Sequence, residues 1–366
     1  MSAAQGAAES AFSQTYAEAR GKVLAAAEAA GLDVQSHAHP MLGRDGEALA
    51  MDVVRLGAVD APAVLLVTSA CHGVEGFCGS GVQVAWLRDR AWLDEVRASG
   101  VALLLVHALN PYGFSWWRRT THENVDLNRN FRDFSQPLPA NPGYDALASA
   151  VVPAVWPPTV ENEAALQRYA QAHGERALQE ALSGGQYTHP QGIFFGGHNP
   201  TWSNLTLRQV LRQHGRRCRQ IGWIDLHTGL GPSGHGEKIF AGPDDAEAVA
   251  RARRWWGDDV TSIYDGSSTS ARLSGLMWLS AGEECPQAVM TGIALEYGTL
   301  PLDQVLDALR ADQWLENHPE VPAATREALK RKTREAFYTD TPAWKEAVLL
   351  QALDAARAAL AQLSMA

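Results

Sequence analysis

The run Ala63-Val-Leu-Leu-Val-Thr68 carries no charge and stops abruptly at Ser69-Ala-Cys-His-Gly-Val-Glu-Gly76. Other apolar, β-rich runs follow the same habit: Leu49 to Leu56, Val101 to His107, Ile221 to Leu226, Lys238 to Ala241 and Ala288 to Glu296. Helical patterns lie around them, over 11–30, 79–87, 93–98, 161–182, 204–213, 244–256, 302–310, 323–337 and 344–363. This alternation predicts an α/β chain whose largely parallel sheet is flanked by helices. In such sheets ligands bind beyond the carboxyl ends of the strands. The residues that close each run are therefore the ones that bear on function.

The first run ends in His72 and Glu75, three residues apart in a turn that can aim an imidazole and a carboxylate at one point. Catalytic zinc sites use three protein ligands and leave a position for water. The strand Ile221 to Leu226 ends at His227, which completes a His, carboxylate, His set for one zinc ion. Asp225 lies two residues earlier, on the same strand face, and can orient an imidazole or simply cap the strand end. A metal-activated water needs a base. Glu296 closes the strand that contains Ile293-Ala-Leu295, where a carboxylate is costly to bury without a purpose. After the run ending at His107 come Asn110-Pro-Tyr-Gly-Phe-Ser-Trp-Trp-Arg-Arg119 and Asn124-Val-Asp-Leu-Asn-Arg-Asn-Phe131. Arg118 is assigned to stabilising an oxyanion, and Asn128 and Arg129 to gripping a carboxylate.

With 31 basic against 41 acidic residues the net charge is −10, which argues against nucleic acid or an anionic membrane as partner. No apolar run reaches the ~18 residues of a membrane span, and the Ala-rich start (1–30) reads as an amphipathic helix rather than a signal peptide. Cys71, Cys78, Cys218 and Cys285 have no regular spacing, and reduced thiols in the cytoplasm are the expectation. The segment 135–156 is rich in Pro, Ala and Gly without periodicity. Together with 157–197 it reads as an insertion near the cleft of one domain spanning 1–366.

The motifs in this order resemble the M14 metallocarboxypeptidase superfamily, closest to its succinylglutamate desuccinylase and aspartoacylase branch. More narrowly, the chain from about Tyr16 onward resembles the bacterial group called DUF2817, which shares Asn141-Pro-Gly-Tyr144, Gly185-Gln-Tyr-Thr-His-Pro190 and Gly192-Ile-Phe-Phe-Gly-Gly197. The resemblance implies zinc at His72, Glu75 and His227, a catalytic Glu296, an oxyanion Arg118, and carboxylate recognition by Asn128 and Arg129. It also implies a three-layer α/β/α domain around a mixed sheet of about eight strands. The substrate-capping tyrosine of digestive carboxypeptidases has no clear counterpart. Tyr187, Tyr264 and Tyr297 are candidates, and His235 is a further candidate substrate contact. Gln186 and His189 are offered with Tyr187 as lining of the insertion.

The function expected is hydrolysis of an amide bond beside a free carboxylate, in an N-acyl amino acid or a short peptide. The alternatives are removal of C-terminal residues from peptides and a non-catalytic zinc-binding role. The sequence leaves a homo-oligomer open.

Overall fold

The computed structural model describes residues 9–365. In chain order the elements are α1 (Tyr16–Ala29), β1 (Val34–Leu42), β2 (Ala48–Leu56), β3 (Ala63–Ser69), α2 (Gly76–Arg88), α3 (Arg90–Ser99), β4 (Ala102–His107) and α4 (Pro111–Trp116). Then come α5 (Pro142–Val151), α6 (Val160–His173), α7 (Glu175–Ser183), α8 (Trp202–Gly215), β5 (Gln220–Ser233), β6 (Gly236–Phe240) and α9 (Ala246–Trp256). The chain closes with α10 (Ser280–Glu284), β7 (Val289–Gly298), α11 (Leu302–Asn317), α12 (Ala323–Phe337) and α13 (Pro342–Leu363).

Among the described residues the strands form one mixed sheet of seven, in the order β1-β2-β4-β3-β5-β7-β6. That is near the size the resemblance implies. The central strands β4, β3, β5 and β7 are parallel, while β2 and β6 run antiparallel to their neighbours. Side chains alternate across β3, so Leu65 and Val67 pack with Phe77 and Val82 of α2 and Val348 of α13. Val64 and Leu66 pack on the other face with Leu207 and Leu211 of α8. A strand covered on both faces has no polar side, which is why its sequence is an unbroken apolar run. Each such side chain contributes roughly 1.5–3 kcal/mol through burial. A third apolar cluster lies under α5, α6, α7, α11 and α12. No helix among the described residues is long and apolar enough to cross a membrane.

Three elements differ from the sequence expectation. The helix predicted over 161–182 is two helices, α6 and α7, broken at Gly174. Its φ of 94° is open to glycine and strained for other residues. The supposedly aperiodic segment 135–156 contains α5, started by Asn141, whose side chain accepts from the Tyr144 N–H. Strand β1 went unpredicted because it is an edge strand, largely exposed, with Pro40 and several polar residues. The N-terminal helix prediction lies partly on residues 1–8, outside those described. All four cysteines are buried and free.

Candidate metal centre

The parallel register of the central strands puts the chemistry side by side. Ser69 of β3 pairs with Leu226 of β5, and one step further His227 of β5 pairs with Glu296 of β7. Beyond β3 the chain enters the short turn Gly73–Glu75, which seats itself on the backbone after α4. The Gly73 and Val74 N–H groups donate to the Arg119 and Arg118 carbonyls at 3.1 and 2.8 Å. A Cβ on Gly73 would lie 2.1 Å from the Gly113 carbonyl carbon, so only glycine permits this approach. Asn110 holds the other side, its Oδ1 accepting from the Gly113 N–H at 2.9 Å and its Nδ2 donating to the Arg119 carbonyl at 3.2 Å.

His72, Glu75 and His227 are all buried, and one ligand atom from each lies within 4.8 Å of the others. His72 Nδ1 is 2.8 Å from Glu75 Oε1, and His227 Nδ1 is 3.0 Å from Glu75 Oε2. The two far nitrogens meet carboxylates. His72 Nε2 is 3.2 Å from Asp126 Oδ1, and His227 Nε2 contacts Asp225. Asp225 is itself held by the Thr68 hydroxyl, which donates to Oδ1 at 2.6 Å. Asp225 behind His227, and Asp126 together with Arg119 behind His72, fix the two ring orientations so that both Nδ1 atoms face Glu75.

The electrostatics favour a positive charge there. Burial alone would push the Glu75 carboxyl up, but the His72 and His227 imidazoles hold it below the usual carboxylate range. Burial likewise opposes ionisation of Asp126, yet Arg119, Arg129 and His72 keep it well below its ordinary value. For His227 burial favours the neutral ring, and Asp225 and Glu75 override it and raise its pKa well above 6.5. Two imidazole nitrogens and a carboxylate, backed by further carboxylates, fit a zinc ion. A second possible set, Cys71 with Asp225 and His227, shares two of these groups. Burial pushes the Cys71 thiol well up, so it stays protonated and a poor ligand.

Glu296 is buried 9 % exposed at the wall of the same cavity. Its Oε1 accepts from the Leu230 N–H at 3.0 Å. Burial, with the nearby Glu75 charge, pushes its carboxyl up to about 7. The cavity measures about 600 Å³ and is also lined by Asn128, Arg129 and Arg119. Asn128 Oδ1 accepts from the Met277 N–H at 3.0 Å. Arg129 donates Nε and Nη2 to the Ser183 carbonyl and Nη1 to the Asn128 carbonyl. A guanidinium has five N–H donors, so these three bonds leave two.

Arg118 is not at this point. It pairs with Asp312 and Glu316 and donates to Asn124 Oδ1 at 2.9 Å, turned toward α11. The next residue, Arg119, faces the centre instead. Its Nη1 is 3.3 Å from Glu75 Oε1, its Nη2 is 2.7 Å from His72 Nε2, and its Nε donates to Asp126 Oδ2 at 2.8 Å. Tyr187 is also misassigned. It is buried, its hydroxyl donating to the Arg129 carbonyl at 2.6 Å, and it does not line the cavity. His235 sits exposed on the β5–β6 turn, away from the cavity. Tyr264 and Tyr297 donate to the Gly242 and Val348 carbonyls, and His107 meets Ser80, so none of the three reaches the centre. Gln186 is tied to the backbone of its own loop and His189 to Asp145. The insertion does line the cavity, through α7 and Phe194.

Arg119 and Asp126 went unassigned in the sequence. Asp126 carried a signal, an acid between the apolar Val125 and Leu127 just ahead of Asn128. Arg119 differs from Arg118 by one step in an irregular segment, where no periodicity selects between them.

The family model described as "Protein of unknown function (DUF2817)" matches residues 12–351. No curated protein matches. Among solved structures the chain is similar to bovine thrombin-activatable fibrinolysis inhibitor in complex with tick carboxypeptidase inhibitor, at 10 % identity and a TM-score of 0.44, covering 92 % of this chain and 98 % of that one. It is similar to a metallo-carboxypeptidase from Burkholderia cenocepacia at 10 % identity and a TM-score of 0.37, covering 92 % and 69 %. It is similar to a succinylglutamate desuccinylase from a Silicibacter species at 14 % identity and a TM-score of 0.38, covering 83 % and 65 %. Likenesses this distant speak to neither activity nor substrate.

Proposed function

We propose that this chain, which belongs to the DUF2817 family, is a single-domain zinc hydrolase cutting an amide bond beside a free carboxylate, as in an N-acyl amino acid. The observation that carries this reading is the convergence of His72, Glu75 and His227 on one point, with Glu296 directly across the strand register from His227. A zinc ion held by those three residues would, when bound, lower the pKa of a water toward 7 and polarise the substrate carbonyl. Glu296 takes a proton from the attacking water and returns it to the leaving nitrogen. The C–N bond breaks as the C–O bond forms, giving a carboxylic acid and a free amine. Arg119 donates to the carbonyl oxygen as it gains charge. Asn128 and Arg129 hold the substrate carboxylate. Asp225 and Asp126 keep the two imidazoles in register. A peptide C-terminus offers the same carboxylate beside an amide, and a panel of N-acyl amino acids against short peptides separates the two substrates.

Two results follow. Protein stripped with a chelator gains stability when zinc is returned, about 4 kcal/mol at a thousandfold excess over Kd, read as a rise in Tm of several degrees. His227→Ala abolishes that rise. An equal rise in the variant would overturn the ligand assignment. The second concerns pH. The base must be ionised to act, so kcat/KM falls as pH drops through the pKa of Glu296. Burial sets that value near 7, and a bound cation draws it back toward 4.5. The acid limb of the profile therefore lies between those values. A profile flat across that window would rule out Glu296 as the base.

A further inference from the structure

We propose that the substrate is apolar on both sides of the bond to be cut: an N-acylated amino acid with an apolar side chain and a medium-length or longer acyl chain. This rests on the amide-hydrolase reading and deepens it. Besides its polar groups the cavity is lined by two apolar sets. The first is formed by Ile239, Ile263, Leu273, Trp278 and Ala294, which all belong to the cluster packed with α8 and α10. The second is formed by Leu182 of α7, Phe194, Val305 and Leu309 of α11, and Phe337 of α12, which all belong to the separate cluster beneath the insertion. Two walls from different clusters serve two different parts of a ligand.

The carboxylate-holding pair touches both walls. Asn128 accepts from the Met277 N–H, and a Cβ on Gly275 would lie 2.3 Å from the Arg129 carbonyl oxygen. Asn128 therefore rests against the segment that carries Trp278, while the Arg129 guanidinium is bound to the Ser183 carbonyl of α7 and lies 5.6 Å from the Phe194 ring of the second wall. The carboxylate is therefore held where the two walls meet, and each apolar half of the substrate lies along one of them. The first wall contains no charged residue. An acidic side chain placed there would be desolvated without a partner. Of the other charged residues that line the cavity, Glu175 of α7 and Asp303 of α11 are exposed, and the guanidinium of Arg176 is taken up by Gln179, Ser268 and Ser270.

The test compares kcat/KM of the zinc-loaded protein for N-octanoyl-leucine, N-acetyl-leucine, N-octanoyl-aspartate and the dipeptide Leu-Leu. N-octanoyl-leucine is expected to exceed each of the others by about 10–100-fold. Leu306→Glu, half-buried on the second wall, and Leu273→Asp, half-buried on the first, should each collapse a different one of the octanoyl-to-acetyl and leucine-to-aspartate ratios. Both positions are partly solvent-exposed, and unchanged Tm values verify that the variants fold. Preference for aspartate or for acetyl overturns the proposal, and preference for Leu-Leu overturns its N-acyl half. If none of the four is hydrolysed, the hydrolase reading fails. Calorimetry with N-octanoyl-leucine and Glu296→Gln then decides the inference by itself: binding tighter than that of N-octanoyl-aspartate upholds it, and no binding overturns it.

Discussion

Glu296→Gln loses about 10²–10⁴-fold in kcat while keeping zinc and fold. The substitution preserves volume, and the amide oxygen still accepts from the Leu230 N–H that Glu296 Oε1 uses. What disappears is the ability to take a proton. The same change should stabilise the metal-free protein above neutral pH. An acid whose folded pKa is raised is hard to ionise in the native state. Its cost to stability is absent below 4.5, grows as pH rises, and is complete above about 7. By linkage that cost is about 3 kcal/mol, and the glutamine variant escapes it. Turnover assays, metal content and urea unfolding at pH 4.5 and 8 check the three parts together. A variant that turns over within a few-fold of wild type would remove Glu296 from the chemistry.

The neighbouring arginines should separate cleanly. Arg119→Lys keeps a positive charge beside Glu75 and Asp126 but loses the planar fork, and kcat should fall about 10²–10³-fold with little loss of stability. Arg118→Ala should do the reverse. Arg118 is 4 % exposed and faces Asp312 and Glu316, which share Lys330 as their other cation at 2.7 Å each. Removing a buried partner from such a group costs about 3 kcal/mol, while kcat should stay within a few-fold. Urea unfolding and steady-state kinetics read the two effects. Loss of activity in the Arg118 variant with normal activity in the Arg119 variant would exchange the assignments made above.

The strand ends were legible because burial forces a simple rule on sequence. A run covered on both faces must be apolar, so the polar residue that ends it is conspicuous. That is how His72, Glu75, His227 and Glu296 stand out, and the two-residue period of a strand puts Asp225 beside His227. The rule fails where its premise fails. Strand β1 lies at an exposed edge and has no need of an apolar run. Arg118 and Arg119 lie between α4 and the turn Leu127–Arg129, where neither a two-residue nor a 3.6-residue period applies. The second cavity wall comes largely from α7, α11 and α12, and only tertiary packing reveals which faces of those helices meet. Tyr187 resembled a ligand contact because aromatic residues in loops serve both roles, and only its hydroxyl bond to the Arg129 carbonyl shows which.

The pairing of β3 with β5 joins residues far apart in sequence, as Thr68 and Asp225, 157 positions apart, illustrate. Closing so long a loop is entropically slow, and parallel pairings of this kind are among the last contacts a chain makes. The three proposed zinc ligands sit on either side of that pairing. A three-ligand set of His72, Glu75 and His227 exists only once that pairing has closed, so full-strength metal binding would report the closing of the sheet.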